Sequence, residues 1–301
     1  MASYSKWVEA SPEETVVEVT VRSLRSRFDP VLEFLPLAAN RPGEDIEYVH
    51  RVRVWSRRAV AAIDLFGGLL PKRRQKWMKQ QLNRIRRSAN DARDDDVFAV
   101  RLQGLHNERG TDQLLEKVRD HRRRSQHPIV EVYEDLAEGN LLARRVEKLL
   151  KKVRLRADGQ PVHFRKWAKR RLRIEMDAFF QAASGDLHDV HVLHQFRIAG
   201  KRLRYAAELL ASAFPDSFRS EIYPAIEDLQ DRLGQINDHA IAQDRLDRWV
   251  EQADSKDEKA CLHEMLGQER RQLKEAHVEF FNWWTSDREN KLKKALDKLA
   301  A

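Results

Sequence analysis

Two stretches of this chain place a histidine and several basic residues at helical spacing. His50, Arg53 and Arg57 follow one another at intervals of three and four residues. A helix turns by about 100° per residue, so these three side chains lie on one narrow stripe. The second stretch has the same register and contains His194, Arg197, Lys201 and Arg204. Arginine offers a rigid fork of donors and lysine a mobile point charge, so the pattern predicts binding of a multivalent anion.

Such stripes are unfavourable for the folded chain by themselves. Like charges three or four residues apart on a helix repel by roughly a few tenths of a kcal/mol per pair. Nothing in folding requires the stripe twice, so a ligand that offsets the repulsion is the simpler explanation. The alternative is a solvated face whose charges are balanced by acidic residues of other helices.

The surrounding pattern is that of an all-α protein. Apolar residues recur every three or four positions between turn signals, which predicts about ten helices and no strand. Opposite the first stripe lies an apolar face of Val52, Trp55, Ala59, Ala62, Ile63, Phe66 and Leu70, and its counterpart in the second stretch is Phe196, Ala199, Leu203, Ala206, Ala207, Leu210 and Phe214. Both helices are therefore predicted to be amphipathic, with one side in a core. Predicted breaks lie near residues 41–43, 67–71, 110, 127–128, 157–161, 184–185, 215 and 253–256.

The two stretches belong to an internal repeat. The segment that begins at His50 aligns without a gap with the segment that begins at His194, an offset of 144 residues. Equivalent pairs at this offset are Arg53 and Arg197, Arg58 and Arg202, Pro71 and Pro215, and Asp94 and Asp238. The repeat predicts two copies of one helical unit, residues 1–157 and 158–301. Similar units commonly pack about a pseudo-twofold axis, which would bring equivalent basic faces together.

The composition indicates which classes of partner are possible but does not identify one. The chain has 56 Lys and Arg against 48 Asp and Glu, a balance that suits nucleic acid, anionic lipid, acidic protein or polyphosphate as a partner. The N-terminus lacks a basic start followed by an apolar run, and no run of about eighteen apolar residues occurs. We therefore predict a soluble, cytoplasmic protein that does not contact a membrane. The single cysteine, Cys261, excludes an internal disulfide and is predicted to be a buried thiol.

At the two stretches the chain resembles the CHAD family, whose name refers to conserved histidines in an α-helical domain. The resemblance rests on HRVRVWSRR from His50, the RD pair at Arg93, and LHQFRIAGKRLRYAAELL from Leu193, followed by LQDRLGQINDH from Leu229. It implies two pseudo-symmetric helical bundles whose basic residues line a central groove or pore that binds inorganic polyphosphate. Polyphosphate granules are accordingly a candidate place of association.

The resemblance also implies which residues bind. By motif position, the polyphosphate-binding residues are His50, Arg53, Arg57, Arg58, Arg93, His194, Arg197, Lys201, Arg202 and Arg204. The internal repeat extends this set to Arg22, Arg25, Lys166, Lys169 and Arg173. Arg84, Arg86 and Arg87 form a further basic group, which is not included in the predicted binding set. The first copy has Val60 and Ala61 where the second has Arg204 and Tyr205, so the halves are expected to contribute unequally.

Nucleic-acid binding, in particular RNA binding, is an alternative reading of the same charges. A single-strand binder should interleave aromatic side chains with its cations as stacking platforms. The patterns around Trp55, Trp77, Trp167, Trp283 and Trp284 favour core positions, whereas Tyr205 falls near the basic stripe. Stacking is therefore poorly supported by the sequence.

Metal binding is a second alternative. His188, His191 and His194 are spaced so that adjacent pairs could meet on a helix, but zinc usually also requires carboxylate or cysteine ligands and supporting contacts. Asp186 and Asp189 lie nearby at a predicted helix start, where aspartate acts as a cap. We therefore expect capping and solvated histidines, and no metal or other cofactor.

Phosphoryl transfer is a third alternative, because a polyphosphate hydrolase or kinase would also need basic residues. That chemistry generally requires a metal held by carboxylates or a glycine-rich phosphate loop. No such loop occurs, and the acids Asp91, Asp94, Asp95 and Asp96 are expected to serve a helix end or nearby arginines. Neighbouring arginines should also disfavour protonation of His50 and His194. We therefore predict a binding protein that is not an enzyme.

Overall fold

The computed structural model describes residues 4–104, 111–155 and 162–300. Within these ranges the chain forms twelve α-helices and no strand, and Thr15 and His163 form an isolated antiparallel bridge. The helices are α1 (Val16–Asn40), α2 (Glu47–Leu65), α3 (Lys72–Ser88), α4 (Asn90–Gln103), α5 (Thr111–Arg124), α6 (His127–Ala137), α7 (Leu141–Leu155), α8 (Phe164–Ala183), α9 (Val190–Leu210), α10 (Tyr223–Glu251), α11 (Lys256–Trp283) and α12 (Ser286–Ala300). The all-α prediction is confirmed for the described residues.

The chain has more helices than the sequence pattern indicates because some breaks carry weak signals. Gly139 and Asn140 separate α6 from α7 with φ of 51° and 56°, the left-handed region that glycine and asparagine tolerate. The break between α10 and α11 is confirmed, and Ser255 caps α11 by accepting from the backbone N–H of Glu258. The breaks expected near residues 110 and 157–161 lie outside the described residues.

Contacts divide the chain into two compact units that are interleaved in sequence. Unit 1 comprises Met1–Val97, Asp120–Leu172 and Tyr205–Asp216, and unit 2 comprises Phe98–Arg119, Arg173–Arg204 and Ser217–Ala301. The repeat boundary predicted between residues 157 and 158 falls outside the described residues. The division into repeats of residues 1–157 and 158–301 stays a prediction.

Secondary structure recurs at nearly the offset of the sequence repeat. Short 3-10 turns occupy Gly67–Leu69 and Ala211–Ala213, which begin 144 residues apart. Helices α7 and α12 are both 15 residues long. The recurrence agrees with two copies of one helical pattern, whereas the pseudo-symmetric arrangement of bundles and the central groove stay predictions.

Unit 1 is built on the packing of α1 against α2. Helix α1 starts at a capping box in which the Thr15 hydroxyl accepts from the Glu18 N–H, and the Glu18 carboxylate accepts from the Thr15 N–H. The apolar face predicted for α2 is confirmed, because all seven of its residues are at most 6% exposed: Val52, Trp55, Ala59, Ala62, Ile63, Phe66 and Leu70. Its burial directs the basic stripe of α2 away from the core.

Unit 2 is built on the packing of α10 against α11. Its core includes Phe98, Leu102, Leu114, Val118, Leu246, Cys261, Leu262, Met265 and Leu266. The buried thiol predicted at Cys261 is confirmed at 4% exposure. In α9, Phe196 and Leu203 are fully buried as predicted, whereas Ala199 is only half-buried.

Across the residues that the structure describes, every helix is too short or too polar to traverse a bilayer.

Candidate anion-binding site

Helix α2 presents its basic stripe in a partly enclosed setting. His50, Arg53 and Arg57 are each half-buried, and the Arg53 side chain is only 20% exposed. A freely solvated arginine would keep most of its hydration. These side chains have lost part of theirs, which makes their mutual repulsion stronger than it would be in bulk water.

Helices α3 and α4 bring three more arginines to the stripe. Arg86 of α3 interacts electrostatically with Arg57 and Arg87, and Arg93 of α4 interacts with His50 and Arg53. We call the whole set the α2 cluster; its members are His50, Arg53, Arg57, Arg86, Arg87 and Arg93. All six lie in unit 1.

Two ion pairs between carboxylates and the α2 cluster are seen among the described residues, and both contacts are long. Arg53 Nη1 lies 3.6 Å from Asp94 Oδ1, and Arg93 Nη1 lies 3.4 Å from Glu47 Oε1. Strong bonds between guanidinium and carboxylate are shorter, at about 2.7–2.9 Å. Each of the two carboxylates is also 42% exposed, so solvent weakens its effect. The five arginines therefore keep a positive excess.

Arg57 has a buried donor that the other residues of the α2 cluster do not satisfy. Its Nε is buried and has no hydrogen-bond partner among the described residues. A buried donor without a partner costs about 1–3 kcal/mol, and more when the group is charged. Such groups are uncommon in folded proteins and are satisfied when a ligand or water supplies an acceptor.

Burial and like charge lower the pKa of several cluster members. Burial is the main cause that lowers the pKa of Arg53, and Arg57 and Arg93 add to it. The pKa of Arg86 is lowered by burial and then by its arginine neighbours. Arginine nevertheless stays protonated in proteins. The shifts therefore mark a site at which positive charge is concentrated.

The pKa of His50 is lowered below its ordinary 6.5 by burial and then by the charge of Arg93. This confirms the prediction that neighbouring arginines disfavour its protonation. At neutral pH His50 is therefore an uncharged donor and acceptor beside the guanidinium groups.

The equivalent stripe of α9, in unit 2, meets more acidic residues. Arg204 lies 3.1 Å from Glu227 and 3.3 Å from Asp231. Arg202 lies 3.2 Å from Glu175, which is 4% exposed. The other predicted binding residues of this helix are the exposed His194 and the half-buried Arg197 and Lys201. The Arg202 contact has a counterpart in the first copy, where the equivalent Arg58 pairs with the buried Glu208. The carboxylates that distinguish the α9 stripe are therefore the two at Arg204.

Three other predicted binding residues form ion pairs with acidic residues of their own unit. In unit 1, Arg22 contacts Glu14 at 2.6 Å. Arg25 contacts both carboxylate oxygens of Glu147, at 2.8 and 3.0 Å. In unit 2, Arg173 lies 2.6 Å from Asp297. Lys166 is exposed and Lys169 is half-buried. The binding roles of these residues stay predictions.

Arg58 occupies a different kind of position. Its guanidinium makes two hydrogen bonds, of 3.1 and 3.2 Å, to Glu208, which is 1% exposed. It also lies over the ring of Trp55, 4.9 Å from the centroid. Removing one partner of a buried ion pair leaves an uncompensated charge, so Arg58 has a clear structural role beside the predicted binding role.

Sequence reasoning left Arg86 and Arg87 out of the binding set although it noted them as a basic group. Their equivalents at the 144-residue offset are Gln230 and Asp231, so the repeat gives no support for a binding role. Their position on the polar side of the amphipathic α3 is the signal that could have retained them.

Of the three histidines considered for metal binding, His188 stacks on an aromatic ring, whereas His191 and His194 are exposed. The His188 ring stacks on Phe281 with centroids 4.1 Å apart. The Asp189 carboxylate accepts hydrogen bonds from the backbone N–H groups of His191 and Val192 at the start of α9, so the predicted capping is confirmed. No group of three or more metal-binding side chains occurs among the described residues.

The acidic run near Arg93 pairs with basic side chains, as predicted. Asp95 is fully buried and lies 2.8 Å from His121 Nδ1. Asp96 lies 2.7 Å from Arg122 Nε, and burial raises the pKa of Asp96 against the opposing effect of Arg122. These contacts give the carboxylates partners within the protein.

The core positions predicted for Trp77, Trp167 and Trp283 are wrong, because all three side chains are only half-buried. Trp55 and Trp284 are buried as expected, at 6% and 9% exposure. Trp77 is half-buried and lines an open cavity together with arginines. Apolar spacing on one helix does not reveal whether a neighbouring helix covers a residue at the margin of the apolar face, and Trp77 lies at such a margin.

Comparison with known proteins agrees with this fold. The CHAD domain family model matches residues 23–247. The fold resembles the crystal structure of the CHAD domain from the plant Ricinus communis, with a TM-score of 0.71 and 19% identity over 98% of this chain and 96% of that one. It also resembles PptA from Streptomyces chartreusis, with a TM-score of 0.62 and 17% identity over 90% of this chain and 99% of that one. None of the curated proteins compared with the chain matches it.

Proposed function

Because this chain belongs to the CHAD domain family, we propose that it binds inorganic polyphosphate through the α2 cluster and does not catalyse a reaction. The observation that carries the proposal is the Nε of Arg57, which is buried within a group of five arginines and has no hydrogen-bond partner in the described part of the chain. A chain of phosphates supplies closely spaced acceptors, which is what such a group lacks.

Polyphosphate suits the α2 cluster for two physical reasons. It carries a negative charge on each internal unit, so one ligand can approach several guanidinium groups at once. It has no bases, so its recognition depends on cations and donors and needs no stacking platform. Binding would replace repulsion among the arginines by charge-assisted hydrogen bonds, which are about twice as strong as neutral ones.

The shared groove that the family resemblance implies is not needed for this proposal. The α2 cluster lies within unit 1 and offers five arginines by itself. The predicted contacts of the α9 stripe remain part of the proposal as additional binding residues for a long chain. We also propose a cytoplasmic location with association with polyphosphate granules, which imaging of the tagged protein alongside stained granules would test.

A titration with long polyphosphate, using two variants of α3, tests the site. Arg86→Gln removes a cluster arginine, whereas Arg84→Gln removes an arginine of the same helix that is paired with Asp135. We expect Arg86→Gln to weaken binding by roughly tenfold, the cost of one charge-assisted contact. Arg84→Gln should change the affinity much less. Equal losses in the two variants would show that only overall charge matters.

The salt dependence of binding gives an independent measurement. About five engaged phosphates predict a slope of about −3.5 for log affinity against log salt, using the single-strand value of about −0.7 per phosphate. A nearly flat dependence would contradict the proposal. Competition with RNA at constant salt separates polyphosphate from nucleic acid, and stronger binding of RNA would favour the alternative function.

A further inference from the structure

A second basic concavity lies in unit 1, where α3 begins. Its volume is about 400 Å³, and it is lined by Pro71, Arg73, Arg74, Trp77, Met78 and Arg145. All of these residues except Arg145, which belongs to α7, come from the start of α3 and the proline before it. No member of the α2 cluster lines it.

The charge of this cavity is uncompensated. Its lining contains three arginines and no acidic residue, and the first turn of α3 contains no acidic residue either. In the described part of the chain, Arg73, Arg74 and Arg145 form no ion pair with a carboxylate. A ligand for this site should therefore carry negative charge.

The cavity also offers a planar aromatic surface. Trp77 is half-buried, and the Arg145 guanidinium lies over its ring, 5.2 Å from the centroid. Indole rings and guanidinium planes both stack on nucleobases. An inorganic phosphate chain has no planar group and would make no use of Trp77. The ligand that fits both features combines an aromatic base with phosphate.

We propose that this cavity binds a nucleoside phosphate, with the base against the Trp77–Arg145 pair and the phosphate at Arg73 and Arg74. The volume lies within the range of about 300–1,000 Å³ typical of small-molecule sites. The same chemistry is presented by a free nucleotide and by the phosphorylated end of a single strand. This site is separate from the α2 cluster and goes beyond the proposed function.

Calorimetric titrations of the full chain with ADP and with tripolyphosphate test the role of the base. We expect Trp77→Leu to weaken ADP binding by roughly fivefold or more, the low end of the cost of losing one stacking contact. The same substitution should leave tripolyphosphate binding unchanged, because that ligand has no base. Equal effects on the two ligands, or no effect on either, would overturn the proposal.

Two adjacent residues of α7 provide a matched pair for the charge. Arg145 lines the cavity, whereas Arg144 is also exposed and does not. Arg145→Gln should weaken ADP binding by roughly tenfold, and Arg144→Gln should not. Both positions are exposed, so neither variant should unfold the chain, and thermal unfolding checks this for Trp77→Leu as well. Equal losses in Arg144→Gln and Arg145→Gln would contradict the site.

Two further ligand and variant measurements complete the test. A 5′-phosphorylated oligoadenylate of about ten nucleotides is compared with ADP to identify the source of the ligand. The compound whose affinity depends more on Trp77 is the ligand of this cavity.

Arg57→Gln should retain ADP binding, because Arg57 belongs to the other site. Loss of Trp77-dependent ADP binding in Arg57→Gln would overturn the separation of the two sites, whatever the outcome for polyphosphate.

Discussion

Helices α2 and α9 carry the same basic stripe, yet their neighbours differ in charge. Next to α2, helix α3 contributes Arg86 and Arg87, which add to the positive charge. The positions equivalent to these in α10 are Gln230 and Asp231, and Asp231 pairs with Arg204 of α9. The first three stripe positions are repeated, whereas Arg204 has Val60 as its counterpart in the first copy. The helix next to the stripe adds cations in one case and a carboxylate in the other.

This difference changes what each stripe is free to do. A guanidinium that already contacts a carboxylate has to exchange that partner for a phosphate, so the net gain is small. A guanidinium that faces other cations, such as that of Arg86, gains a contact without losing one. The comparison therefore predicts that the α2 cluster contributes more to polyphosphate affinity than the α9 stripe.

The largest expected effect is found by comparing two double variants, each of which removes two equivalent cations from one stripe. We expect Arg53→Gln with Arg57→Gln to weaken polyphosphate binding by roughly 100-fold, about tenfold per contact. The same double variant should reduce the magnitude of the salt slope by about 1.4. The equivalent pair, Arg197→Gln with Lys201→Gln, should cost roughly tenfold. Equal losses in titrations at the same salt would remove the asymmetry.

A charge reversal in α10 should make the second stripe resemble the first. Asp231→Arg removes a partner of Arg204 and places a cation where the first copy has Arg87. We expect the affinity for polyphosphate to rise by roughly tenfold, the effect of one gained contact. Asp228→Arg is the control, because it makes the same charge change on the same helix at a residue that pairs with Arg232. If both variants bind equally tightly, the gain comes from net charge alone.

Removing the carboxylate next to Arg53 should raise the affinity of the α2 stripe for polyphosphate. Asp94→Asn frees the Arg53 guanidinium from a contact of 3.6 Å. Partly exposed ion pairs contribute about 0.2–1 kcal/mol, so the affinity should rise by at most about fivefold. Asp91→Asn, on an exposed residue of the same helix, provides the control for the loss of one negative charge. A decrease in affinity in Asp94→Asn would indicate that Asp94 positions Arg53 for the ligand.

The smallest effect concerns the protonation of His50. Its pKa in the folded protein is lowered below 6.5, so the unfolded chain takes up the proton first as pH falls, and the folded state loses stability below pH 6.5. A bound polyanion favours the imidazolium and raises this pKa. Polyphosphate binding near pH 6 should therefore take up protons and tighten by roughly two- to threefold as pH falls.

Calorimetry in two buffers of different ionisation enthalpy measures this proton uptake. His50→Gln should reduce the uptake, whereas the terminal phosphates of the ligand contribute equally in both proteins. Identical uptake by the native chain and His50→Gln would exclude His50 as the linked group.

Much of the local structure could be predicted from the sequence because it depends on short spacings. The buried face of α2, the buried thiol of Cys261 and the cap at Asp189 each follow from residues close together in the chain. The position of Trp77 could not be predicted in this way, since it depends on how far the neighbouring helices cover α3. Arg86 was left out of the predicted binding set, because its position beside Arg57 arises only when α3 packs against α2.

The amino-acid sequence by itself determined the helices, the side of each helix that enters a core, and the number and spacing of the cations. The tertiary structure alone decided which cations meet carboxylates and which meet other cations. Charge compensation acts over a few ångströms between side chains of different helices. Residues as far apart in the chain as Arg53 and Asp94 therefore become partners only when the helices pack. Within the described ranges, the same packing leaves the Nε of Arg57 without a hydrogen-bond partner.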